Sequence, residues 1–210
     1  MPVTTGDLRY MSLKVGITGG IGSGKSVVCD MFRLLGIPIF NSDLEGRFIL
    51  ETDLEVISSV KQIFGAASYP KDGKPDRAYI ASQAFVDADK LSQLNAVIHP
   101  AVNRHFEAWC KAHEAASYVI KEAAILVESG AYKQLDVLIL VTAPETLRLE
   151  RAAARDHLTV EEVRKRSRNQ LPEEELRKYA NHIIINDGSV SVISQVMKLH
   201  DLLKAKAVPA

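Results

Sequence analysis

The run Gly19-Gly20-Ile21-Gly22-Ser23-Gly24-Lys25-Ser26 narrows the possible folds more than any other part of the chain. It satisfies G-x-x-x-x-G-K-[ST] in full, the pattern of a loop that wraps a phosphate. Glycines leave no Cβ in the way and admit unusual backbone angles, so successive N–H groups converge on one anion. The helix that follows turns its positive end to the same anion. Lys25 reaches the β- and γ-phosphates, and the Ser26 hydroxyl is a ligand for Mg²⁺. Such a loop needs a buried strand before it and an amphipathic helix after it. Lys14 to Thr18 reads as that strand, and Val27, Val28, Met31, Phe32 and Leu35 fall at helical spacing behind the loop. Gly20, Ile21, Gly22, Ser23, Gly24, Lys25, Ser26 and Val27 are therefore the expected nucleotide-binding residues.

The rest of the chain alternates short apolar runs with longer amphipathic ones, an α/β pattern. Further strands are expected at Ile37–Phe40, Ser117–Lys121, Leu135–Thr142 and Ile183–Ile185. With helices between them they imply right-handed crossovers and a parallel sheet. The expectation is a three-layer P-loop fold with a five-stranded parallel sheet, built from residues 12–43, 114–144 and 176–210. A mostly helical insert spans 44–113, with His99-Pro100 read as a break and Pro100 as the first residue of a new helix. An arginine-rich segment spans 145–175, within which Thr159 and Glu162 form a capping box. Residues 1–11 read as a flexible tail without the hydrophobic region of a signal peptide. Composition excludes several classes. Lys plus Arg and Asp plus Glu are both 26, so the balanced charge argues against a general nucleic-acid coat. Cys29 and Cys110 are too few for a disulfide framework. No apolar run approaches the length of a membrane span. A reduced, cytoplasmic protein is expected, with neither nucleic acid nor membrane as partner, as a monomer or small homo-oligomer.

The base-recognition motif N-K-x-D of guanine-nucleotide switches is absent from the sequence. A small chain with a helical insert after the second strand and arginines after the fourth has the layout of a small-molecule kinase. The insert would hold the phosphate acceptor, and the arginine-rich segment would close over ATP as a lid that excludes water. Two other readings are open on the loop alone: a kinase for a different acceptor, such as a nucleoside monophosphate, and a nucleotide-gated regulatory module.

An ordered set of further blocks narrows the choice. VGITGGIGSGKS is followed by Asn41-Ser42-Asp43, DGKPDR (Asp72 to Arg77), Ile98-His99-Pro100, ILVESG (Ile125 to Gly130), the arginine-rich segment and Gln170. From Lys14 to Leu203 this resembles the dephospho-CoA kinase family. The resemblance implies transfer of the ATP γ-phosphate to the ribose 3′-hydroxyl of dephospho-CoA, with Mg²⁺ accompanying ATP. The chain departs from the family pattern where Asn41 replaces an aspartate, Ala124 a proline, Glu122 a common aspartate and Val27 a common threonine.

Each candidate residue has a functional and a plain reading. Asp43 follows the second strand at the sheet edge where ligands of such folds bind, and can take or orient the acceptor's proton; otherwise it caps a helix. Arg151 and Arg155 project to one side of a helix and suit a transferring phosphoryl group, with Arg148 on the same face; otherwise they are a solvated stripe. Glu122 ends the third strand near the expected Mg²⁺ site, or pairs with a lysine. Glu128 faces the acceptor, or caps the segment starting at Ser129. Arg77 binds an acceptor phosphate and His99 the ribose, or His99 merely starts a helix. Asn186 approaches the ATP adenine, or belongs to the ordinary turn Asn186-Asp187-Gly188. Phe106 and Trp109 read as core.

Overall fold

The computed structural model describes residues 12–70 and 72–207. The expected tail at 1–11 lies outside the described residues. The chain divides into two compact units, one of residues 1–40 and 110–210, the other of residues 41–109.

The first unit is built on β1 (Leu13–Thr18), β2 (Ile39–Asn41, whose last residue begins the other unit), β3 (Tyr118–Glu122), β4 (Val137–Thr142) and β5 (His182–Ile185). Their order in the sheet is β2-β3-β1-β4-β5, all parallel. β1 lies between β3 and β4 with both edges paired, and Val15 and Ile17 are fully enclosed. All six residues of β4 are buried as well, which explains why this stretch reads as an unbroken apolar run. Helices α1 (Lys25–Leu34) and α9 (Val192–Ala207) cover one face. Val28, Phe32, Val196, Leu199 and Leu203 pack there against Val15, Ile17, Val137, Ile139 and Ile184. On the other face Ala123, Leu126, Val127, Leu138, Leu140 and Leu176 form a smaller core. Helices α6 (Glu145–Asp156) and α7 (Val160–Ser167) pack through Leu149, Ala152, Ala153 and Val163, with the Ile21 side chain against them. The short α8 (Glu173–Arg177) precedes β5. Cys29 and Cys110 are buried and not joined in a disulfide.

The second unit contains α2 (Ser42–Thr52), α3 (Leu54–Phe64), α4 (Arg77–Val86) and most of α5 (Ala88–Ala112). α2 packs on α5 at Gly46, where a Cβ would make ordinary contacts of 3.7 Å with Ile98 and 3.9 Å with Val102. The break expected at His99-Pro100 does not occur, because Pro100 lies inside the continuous α5. An interior proline costs about 3 kcal/mol through a missing N–H and a crowded carbonyl. Burial of Ala101, Val102 and Phe106 on the following turns outweighs it. Phe106 is enclosed, as its core reading expects, and stacks with ring centroids 6.3 Å apart on Trp109, which is only partly buried.

Candidate active site

The glycine-rich run joins β1 to α1, and its glycines answer to geometry. Gly24 caps α1 in the left-handed region at φ 94°, and no side chain caps that helix end. The first turn of α1 contains no acidic residue, so its own sequence places no anion at the positive end of the helix. Gly22 is also left-handed, at φ 75°, and a Cβ on it would lie 1.9 Å from Arg148 O. A side chain at either position would strain the backbone, and it would collide with the Arg148 backbone at Gly22 and with the Asn186 side-chain amide at Gly24. Inside the loop Ser23 N–H bonds Gly20 O at 3.1 Å, and the Lys25 ammonium donates to Gly19 O at 2.7 Å and to Gly20 O at 3.3 Å. Ser23 Oγ and Thr18 Oγ1 are buried without a hydrogen-bond partner among the described residues.

Sheet register brings the next group in. Ile17 of β1 pairs with Glu122 of β3, which sets that carboxylate at the carboxyl edge of the sheet beside the loop. Glu122 is 7% exposed and accepts the Ser26 hydroxyl at 3.1 Å. Among the described residues no group of three or more His, Cys, Asp or Glu is arranged to hold a metal. Ser26 and Glu122 instead make a two-oxygen set. That suits Mg²⁺, which prefers oxygen and takes few protein ligands when phosphates and waters complete its shell.

Beside the loop a cavity of about 450 Å³ is lined by Gly22, Gly24, Lys25, Ser26, Val27, Arg151, Arg155 and Asn186. The two arginines and Asn186 thus meet the loop although they come from distant segments. Arg151 donates to Asn186 O at 2.8 Å, and the Asn186 side-chain amide donates to Ser23 O at 2.9 Å. Asn186 follows β5, and its N–H bonds Thr142 O at 2.7 Å. Arg155 forms a two-point ion pair with its neighbour Asp156, at 2.7 and 2.9 Å. That hydrogen bond holds the partly exposed Asp156 carboxyl below its usual range. Gly20 does not line this cavity but a second one of about 760 Å³, bounded also by Thr142, Arg148, Gln170, Glu173 and Arg177.

The remaining candidates are distributed as follows. Arg148 does not join Arg151 and Arg155 at the smaller cavity; its guanidinium donates to Ala143 O at 2.9 Å and lies against Gly20. Glu128 Oε1 accepts Leu171 N–H at 2.9 Å, so Glu128 fastens a distant segment and not the turn at Ser129, and its Oε2 is buried without a hydrogen-bond partner among the described residues. Asp43, Arg77 and His99 belong to the other unit. Asp43 is exposed in the first turn of α2, and Asn41, not Asp43, caps that helix by accepting Leu44 N–H at 2.9 Å. Arg77 begins α4 and pairs with Glu51 at 2.5 Å; His99 lies partly exposed within α5.

The sequence singled out Gln170 without assigning it a contact, and it missed Thr142 and Glu173. Gln170 accepts Ile21 N–H at 2.8 Å across 149 positions and donates to Ala124 O at 3.0 Å. Thr142 donates to Glu173, which also takes two hydrogen bonds from Arg177. No periodicity signals such pairings, because they join segments that meet only through sheet order.

A family model described as dephospho-CoA kinase matches residues 13–191. A dephospho-CoA kinase of Chlorobaculum tepidum is 42% identical over 200 residues, covering 92% of this chain and 96% of its own. One from Bacteroides fragilis is 37% identical, covering 93% and 95%. A crystal structure from Thermus thermophilus superposes with a TM-score of 0.81 at 34% identity, covering 91% of this chain and 97% of its own. The ordered motifs, the phosphate loop at the end of β1 and these full-length likenesses agree: the chain belongs to the dephospho-CoA kinase family.

Proposed function

We propose that the protein transfers the γ-phosphoryl group of ATP to the ribose 3′-hydroxyl of dephospho-CoA, giving CoA and ADP, the last step of coenzyme A biosynthesis. The observation that carries this reading is the match to the family along residues 13–191, with a complete phosphate loop at the uncapped start of α1. A new O–P bond forms as the bond from the γ-phosphorus to the β,γ-bridging oxygen breaks, and the hydroxyl proton passes to a base.

The residues divide that work. Backbone N–H groups from Gly22 to Val27 and the Lys25 ammonium hold the phosphates, and Arg155 meets the charge that develops on the transferred group. Engaging a phosphate requires Arg155 to leave Asp156, an exposed pairing of small net strength. Arg151 and Asn186 bound the nucleotide's other end. Asp43, two residues beyond β2, accepts the acceptor's proton. Arg77, His99 and Glu128 bind the acceptor, with residues 44–113 as its domain and 145–175 as a lid. Ser26 and Glu122 would hold Mg²⁺, which when bound neutralises charge between the phosphates. Among the described residues no helix is long and apolar enough to cross a membrane.

An ADP-release assay with a panel of acceptors tests the reading. Dephospho-CoA should stimulate turnover and nucleoside monophosphates should not. Stimulation by a monophosphate alone would assign the chain a different acceptor.

A further inference from the structure

The apex of the phosphate loop is held from outside. Gln170 lies three residues beyond the end of α7, at the exit of the arginine-rich segment. Its side-chain oxygen accepts Ile21 N–H at 2.8 Å while its nitrogen donates to Ala124 O at 3.0 Å. Both ends of the amide are used, so only one orientation fits: a reversed amide would oppose donor to donor and acceptor to acceptor. The next residue, Leu171, donates its N–H to Glu128 Oε1 at 2.9 Å, which fastens the same dipeptide to the segment after β3. Across the loop Arg148 packs so closely that a Cβ on Gly20 would lie 2.1 Å from its guanidinium nitrogen. The peptide between Gly20 and Ile21 is therefore held at both ends: Gly20 O accepts from Ser23 N–H and the Lys25 ammonium within the loop, and Ile21 N–H donates to Gln170 from outside it. The Ile21 N–H already has an acceptor, so this amide is part of the support of the loop and not of its phosphate-facing surface.

We propose that Gln170 is a positioning residue for the nucleotide: without touching it, Gln170 fixes the Gly20–Ile21 peptide so that the amides from Gly22 onward face the triphosphate. The proposal rests on the nucleotide-binding reading of the loop and adds to it a residue that also ties the loop to the arginine-rich segment. Preorganised donors bind an anion more tightly than donors that must first be ordered, so loss of the brace should weaken nucleotide binding specifically.

Two variants separate this from a merely structural role. Gln170→Met has similar length and no hydrogen bonds. Gln170→Glu keeps an acceptor for Ile21 N–H but can donate to Ala124 O only when protonated. Calorimetric ATP–Mg²⁺ affinity, steady-state KM for each substrate and thermal midpoint are measured on the full chain. The wild type should bind ATP–Mg²⁺; if it does not, the nucleotide reading itself fails, an outcome distinct from the variants' results. Gln170→Met should raise the ATP Kd and KM about tenfold, with the dephospho-CoA KM changed by no more than about twofold. Gln170→Glu should lie between, approaching the wild type as pH falls from about 7 to about 4.5, toward the ordinary glutamate value of about 4.3, and the carboxyl gains its proton. Wild-type ATP affinity in Gln170→Met would overturn the proposal. So would equal losses for both substrates alongside a collapsed thermal midpoint, unless Gln170→Glu shows the pH-dependent recovery. Should Gln170→Met fail to fold, Gln170→Glu decides alone: an ATP affinity that does not vary with pH relative to the wild type overturns the assignment.

Discussion

Lys25 holds two carbonyls of its own loop at 2.7 and 3.3 Å, so the ammonium stands over the loop before any phosphate arrives. Replacing it by methionine keeps the bulk and removes the charge. Lys25→Met should lower kcat/KM for ATP by roughly 10²- to 10³-fold, and a steady-state assay reads this directly. For Asp43 the alternative duty as helix cap is taken by Asn41, which leaves the carboxylate without a capping role in α2. Asp43→Ala should lose turnover by roughly 10²- to 10⁴-fold with ATP affinity kept; unchanged turnover would remove it from the chemistry. Glu173 supplies a pH prediction. Partial burial pushes its carboxyl up, but hydrogen bonds from Thr142 and Arg177, with the charges of Arg177 and Arg148, together hold it below the usual range. The native carboxyl thus binds a proton less readily than in the unfolded chain. Its contribution to stability is present above the ordinary carboxylate value and lost as pH falls through the lower native value. The urea midpoint of the wild type should exceed that of Glu173→Gln at neutral pH, and the gap should close in acid. A gap that does not change with pH would mean the ionised pair contributes nothing.

At the scale of elements, local signals succeeded where the ends of an element are set by its own residues. The Thr159–Glu162 capping box is present in both directions, with Glu162 Oε2 accepting Thr159 N–H at 2.8 Å and Thr159 Oγ1 accepting Glu162 N–H at 3.2 Å. Thr159→Ala should cost about 1 kcal/mol of stability in denaturant unfolding. The apolar run of β4 and the strand before the loop were legible for the same reason: burial on both faces needs no partner to be identified. α5 shows the converse. The local rule places a helix start at Pro100, yet burial of Ala101, Val102 and Phe106 carries one helix through it, an outcome that depends on residues folded against those side chains.

For the molecule as a whole, ligand linkage is the relevant measurement. A ligand that binds only the folded state stabilises by about 2.7 kcal/mol at a hundred times its Kd. ATP–Mg²⁺ should therefore raise the thermal midpoint clearly, and the same addition to Lys25→Met should raise it far less. A family likeness that runs from residue 13 to residue 191 leaves little of the chain outside it. By itself the sequence determined the phosphate loop, the parallel α/β class and the family, because these depend on residue type and short spacing. Only the tertiary structure decided what the candidate site residues lean on. Glu122 meets Ser26, Asn186 meets Ser23, Arg148 backs Gly20 and Gln170 braces Ile21, each across many positions of chain. Hydrogen bonds of that kind are made by strand order and register, which no local pattern encodes.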